Sequence, residues 1–181
     1  MSLPKVIWVT PSNVSKSAIE SAMNCPIDGV QLRCKEMAEE FFLDLARFAR
    51  KMTHQTGKHL SINSSLKIAL EVKADSVHLP ESMTDLCPYL GGLPGNVSTH
   101  SLKAALRAES LGAEVITFGP IFETPSKKNY GPPQGLDALK EVVKALSIPV
   151  YAIGGITLDN RGSCLQYGAV GVMMQRGIVW S

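Results

Sequence analysis

The residues able to do chemistry in this 181-residue chain are mostly anion-binding ones, and they recur at one kind of position. Gln31, Arg33 and Lys35 alternate along one short apolar run, and Asn63, Ser98 and His100 close later ones. Thr124, Ser126 and Lys127 lie in the stretch ETPSKK, Gly154-Gly155 follows VYAI, and Gln175-Arg176 follows GVMM. Guanidinium, ammonium and hydroxyl groups, with glycines that open backbone amides, are the donors that hold phosphate oxygens. The set points to a small phosphorylated substrate. His100 adds a candidate general acid/base, because an unperturbed imidazole titrates near neutral pH. Ser98 lies on the same strand face. His78, within SVHLP, reads as a packed or hydrogen-bonded core residue, and His54 and His59 as surface residues. A Gly-Gly pair after a strand is also an ordinary turn, and Arg176 also an ordinary surface arginine.

The elements that must position these residues come from alternation. Short Val- and Ile-rich runs are each followed by a stretch of helical periodicity. The sequence predicts strands at Lys5–Thr10, Gly29–Cys34, His59–Asn63, Ser76–Leu79, Asn96–His100, Glu114–Gly119, Val150–Gly154 and Gly171–Met174. It predicts helices at Ser15–Met23 (Asn13 or Ser15 as N-cap), Met37–Met52, Leu66–Val72, Leu102–Leu111, Leu136–Leu146 and Leu158–Tyr167. Phe41, Leu45, Phe48 and Met52 define the apolar face of the second helix. Eight strands and about seven helices in βα order favour a closed (β/α)8 TIM-type barrel over an open sheet, with residues 1–181 as a single domain. The chain is short for that fold and stops at Trp180-Ser181, so the last helix is lacking: either the chain is truncated or a partner covers that surface, a second copy (homodimer) being the favoured one. In such a barrel helices cover the outer face of each strand, which favours an inward stripe of Gln31, Arg33 and Lys35. The active site is expected at the C-terminal ends of the strands. The loop from Glu123 to Gly135, rich in proline, reads as a stiffened lid.

Composition sets the remaining limits. Hydrophobic residues at 45% and charged residues at 19% suit a globular core rather than disorder. A net charge of +2 gives no support to a nucleic-acid partner. No apolar run is long enough to span a bilayer, and the N-terminus is too short and polar for a signal peptide. Four scattered cysteines without a C-x-x-C pair read as reduced thiols of a cytoplasmic protein, with no zinc site.

The motifs VQLRCKE (Val30 to Glu36), INSSLKIAL (Ile62 to Leu70), ADSVHLPES (Ala74 to Ser82) and VSTHS (Val97 to Ser101) then align with a known pattern. So do FGPIFETPSKKNYGPPQGLDAL (Phe118 to Leu139), AIGGIT (Ala152 to Thr157) and GAVGVMM (Gly168 to Met174). In this order they resemble the thiamin phosphate synthase family, with its thiazole tautomerase (TenI-like) branch. The resemblance implies that Arg33, Lys35 and Asn63, with Thr124, Ser126 and Lys127, hold the pyrophosphate of a hydroxymethylpyrimidine substrate. It implies that Gly154 and Gly155 offer amides to a thiazole phosphate. Synthases carry an Asp directly after the position of Asn63, where this chain has Ser64, and a second Asp beyond the histidine matching His78, where Glu81 is the only carboxylate. Those two carboxylates hold magnesium in synthases. Arg176 stands where the family usually has a small Ser. The lost carboxylates favour a metal-independent tautomerase working through His100, with no metal ligand and no cofactor. The alternatives are a Mg2+-dependent thiamin phosphate synthase and a non-catalytic thiazole or thiamin phosphate binding protein.

Overall fold

Eight short parallel strands close into a ring in strict sequence order in the computed structural model, which describes residues 3–124 and 132–176. They are β1 (Val6–Val9), β2 (Gly29–Leu32), β3 (His59–Asn63), β4 (Ser76–Leu79), β5 (Gly95–Thr99), β6 (Val115–Phe118), β7 (Val150–Ile153) and β8 (Gly171–Met174). The crossovers are α1 (Lys16–Ala22), α2 (Glu39–Thr56), α3 (Leu66–Glu71), a 3-10 helix (Glu81–Tyr89), α4 (Leu102–Ser110), α5 (Gly135–Ala145) and α6 (Arg161–Gln166). The fold is a TIM-type (β/α)8 barrel. Parallel pairing demands these crossovers, and the pairs Val6↔Val172 and Trp8↔Met174 shut the ring.

Local chemistry sets the helix ends. Ser15, Ser65 and Ser101 each accept an N–H from the first turn of α1, α3 and α4, at 3.1, 3.3 and 3.2 Å. Gly57 ends α2 in the left-handed region at φ +64. On α2 the buried residues are Phe42, Leu45, Ala46, Ala49 and Thr53, and Phe41 is exposed, so the predicted stripe is rotated by one position. α6 starts later than predicted because Thr157 and Asn160 lock a turn ahead of it: Thr157 N–H donates to Asn160 Oδ1 at 2.8 Å.

Strand alternation splits the interior in two. Trp8, Leu32, Ile62, Leu79, Ile116 and Phe118 pack outward with helix residues such as Ile19, Leu45 and Leu139. Burying each such side chain contributes about 1.5–3 kcal/mol. Inside the ring, Ile7, Val9, Tyr151 and Met173 form a second apolar cluster. The lumen beside β3–β6 is polar: Asn63 registers with His78, His78 with Asn96, and Ser98 with Thr117. Residues of β8 are buried along the strand, while a groove of about 320 Å³ between β1, β8 and α6 leaves Leu158 and Leu165 exposed. Among the described residues, no helix is long and apolar enough to cross a membrane.

Candidate active site

A cavity of about 600 Å³ opens at the C-terminal ends of the strands, a size suited to small organic ligands. Its floor carries Val9, Ile153 and Met173 of the apolar cluster, and its rim is polar and cationic. Gln31, Arg33 and Lys35 line it from the end of β2. The strand itself stops at Leu32, two residues earlier than predicted, because Arg33 N–H leaves the ladder and donates to Thr10 Oγ1 at 2.9 Å. Gln31 is buried, Arg33 half-buried and Lys35 exposed, so the stripe runs from the lumen to the mouth.

Asn63 lines the cavity after β3 and accepts the Ser64 hydroxyl at 2.9 Å. Ser98 lines it from β5, and His100 from just beyond β5, which ends at Thr99. His100 is exposed, and its ring is aimed by Nδ1, which contacts Gly119 O. A carbonyl only accepts, so Nδ1 carries the proton and Nε2 is the basic nitrogen of the neutral ring. The His100 backbone N–H donates to Glu81 Oε2 at 3.1 Å.

His78 is buried, as predicted, and also lines the cavity, with Nε2 and Ser98 Oγ at 2.8 Å. Burial, with a smaller push from the Arg33 cation, depresses its pKa to about 3, so the ring stays neutral. His78 Nδ1 and Gln31 Nε2 are buried with no hydrogen-bond partner among the described residues, both at the cavity. Strand register was the missed signal: it sets His78 beside Asn63 and Asn96 on the polar lumen side.

On the opposite rim, Gly154 and Gly155 follow β7 with φ of +97 and +66. Neither tolerates a side chain: a Cβ would sit 2.5 Å from Pro120 Cα at Gly154, and 2.5 Å from Glu123 O at Gly155. Phe122 N–H donates to Gly154 O at 3.0 Å, and Gly135 N–H to Ile121 O at 3.1 Å, so both feet of the β6–α5 connection are tied at the site. Thr124 lines the cavity, whereas Ser126 and Lys127 lie outside the described residues. Arg176 is exposed at the mouth after β8.

Among the described residues, the cavity lacks the Asp pair that the family resemblance assigns to magnesium. Among the described residues, no three His, Cys, Asp or Glu side chains are arranged to hold a metal. Residues 1–2, 125–131 and 177–181 contain none of these types. Among the described residues, the lining carboxylates are Glu81 and Glu123, and Glu81 already accepts the His100 amide.

Comparison with known proteins agrees in fold and motif order. The family profile described as thiamine monophosphate synthase (TMP-TENI) matches residues 6–178. A putative thiamine-phosphate synthase of Geobacter sulfurreducens is 39% identical over 168 residues, covering 90% of this chain and 78% of that one. A thiamine-phosphate synthase of Methanocella arvoryzae is 39% identical over 158 residues, covering 84% and 74%. The solved structure of a thiamine phosphate pyrophosphorylase from Pyrococcus furiosus superposes with a TM-score of 0.82 at 26% identity, over 94% of this chain and 85% of that one.

Proposed function

The chain belongs to the thiamine monophosphate synthase family, an enzyme family of thiamin biosynthesis, and on that premise we propose that it is a thiamin phosphate synthase. The observation that carries this reading is a cavity with anion-binding groups on opposing sides. Arg33, Lys35 and Asn63 follow β2 and β3; Gly154 and Gly155 follow β7, four strands from β3 around the ring of eight. Two phosphorylated substrates need two such grips, whereas an isomerase acting on one phosphate needs one.

In this reading the pyrophosphate of hydroxymethylpyrimidine pyrophosphate rests on Arg33, Lys35 and Asn63. The thiazole phosphate rests on the glycine pair. The methylene C–O bond breaks, its electron pair leaves with pyrophosphate, and the thiazole nitrogen donates its lone pair to the methylene carbon. Cationic donors stabilise the departing charge, and the apolar floor of Val9, Ile153 and Met173 faces the uncharged rings. The buried Gln31 and His78 nitrogens supply polar partners for a heteroaromatic ring. No step passes through a metal here.

The tautomerase expected from the lost carboxylates remains the second reading, and the anchored His100 ring favours it. The names of the two relatives reported above, both synthases, support the transferase over it. The test mixes purified protein with both substrates, with and without magnesium, and follows thiamin phosphate and pyrophosphate. Formation of both products is the expected result. Absence of product, with proton exchange on a carboxylated thiazole phosphate that His100→Ala abolishes, would establish the tautomerase instead.

A further inference from the structure

We propose that this chain grips pyrophosphate with its own cations, from the exits of β8 and β2 and without a protein-held magnesium ion, and that Arg176 is a specificity-determining member of that grip. The inference rests on the synthase reading for its physiological ligand.

Among the described residues, three cations line the cavity: Arg33, Lys35 and Arg176. None forms an ion pair with a described residue, although five other Lys or Arg residues do. Residues 1–2, 125–131 and 177–181 contain no Asp or Glu. An uncompensated cation at a cavity rim is costly to gather with two like charges and contributes nothing to folding. It is explained by an anion that binds among them.

The geometry gathers them on one arc. β1 pairs with β8 on one side and β2 on the other. Thr10, directly after β1, receives the Arg33 N–H on its hydroxyl at 2.9 Å, and its own N–H donates to Gln31 O at 3.0 Å. The β2 exit is thereby stapled to β1, and Arg33 lies near enough to lower the buried His78 pKa. Arg176 enters from the neighbouring β8 exit. The exits of β3 and β4 offer Asn63, Ser64, Pro80, Glu81 and Ser82, with Glu81 their one carboxylate, and it already accepts the His100 N–H. Positive charge therefore sits on the β8–β1–β2 arc, displaced from the β3 and β4 exits. A guanidinium can bind two phosphate oxygens at once, and it needs no third component.

The experiment is calorimetric titration of the full chain with inorganic pyrophosphate, in EDTA and again in excess magnesium. Expected affinities agree within about threefold, whereas Arg176→Ser weakens binding about tenfold in EDTA and Arg176→Lys restores most of it. Thermal unfolding of each variant checks that the fold is intact. Binding that requires magnesium, binding that magnesium strengthens by more than about tenfold, unchanged affinity in Arg176→Ser, or no binding at all would overturn the inference. Its failure differs from failure of the synthase reading: tight pyrophosphate binding in EDTA with no thiamin phosphate formed sinks that reading and leaves the grip standing.

Discussion

The two ends of the barrel use charge in opposite ways. At the N-terminal end, carboxylates are saturated. Asp28 Oδ2 accepts the N–H groups of Lys5 and Val6 at 2.8 and 2.9 Å, fixing the start of β1. Asp75 Oδ2 accepts Leu60 N–H at 2.7 Å at the start of β3 and pairs with Arg50 at 2.9 Å. Glu109 Oε1 accepts both the N–H and the hydroxyl of Ser147, each at 2.7 Å, ahead of β7. At the C-terminal end, Arg33, Lys35 and Arg176 have no acidic partner among the described residues. Charge satisfied inside the protein is spent on the fold; charge left unsatisfied is available to a ligand. This division matches the general separation in such barrels between a stabilising face and a reacting one.

The comparison breaks if the mouth proves structural. Arg33→Ala is expected to lower kcat/KM about 100- to 1000-fold, equivalent to roughly 3–4 kcal/mol of lost transition-state stabilisation. The melting temperature should not fall, because no ion pair is lost; a fall of several degrees would make Arg33 a stitch of the fold. At the other end, Asp28→Ala leaves the Lys5 and Val6 amides without their acceptor and should cost about 2–3 kcal/mol in denaturant unfolding. Pyrophosphate affinity should be unchanged in that variant. A loss of affinity with unchanged stability would reverse the assignment of the two ends.

Acid unfolding sharpens the contrast. The folded pKa of His78 lies near 3, below the usual 6.5, so the unfolded chain takes up the proton first as pH falls. Stability is full above about pH 6.5 and is lost toward pH 3 with a slope near 1.4 kcal/mol per pH unit from this residue. The half-buried His59, also depressed chiefly by desolvation, contributes with the same sign. His78→Gln should flatten the slope, and denaturant titrations across this range would read it. The smallest effect belongs to the exposed Lys16–Asp44 pair, 2.7 Å apart: Asp44→Ala should change stability by less than about 0.5 kcal/mol and leave catalysis untouched.

The barrel was legible because each strand is a short run bearing Val or Ile, and because α1, α3 and α4 have serine caps while α2 and α6 are followed by a left-handed glycine, signals that lie within a few residues. The 3-10 helix at Glu81–Tyr89 was not, since it contains Pro88 and lacks a 3.6-residue period. The α2 face was misread by one position because Phe41 and Phe42 are adjacent, and only packing against the barrel selects Phe42. At the site, residue type marked the cations, while sequence could not reveal which charges lack partners. That depends on where acids 20 or more residues away come to rest, as with Asp75 beside Arg50. His78 shows the same limit: burial was legible, and its place at the cavity needed the register of β4 against β3 and β5.

The seam between β1 and β8 has a kinetic consequence. Lys5 Nζ donates to Val170 O across 165 positions of chain, and Val172 N–H to Lys5 O. Such contacts repay their loop-closure entropy only after the intervening units have shortened the path. Neighbouring βα units can pair early, and the ring closes last. Until it does, β1 and β8 are both open sheet edges, the state in which a barrel is most exposed to joining another chain. The Asp28 carboxylate, by fixing the start of β1 against β2, holds half of that seam in register before its partner strand arrives.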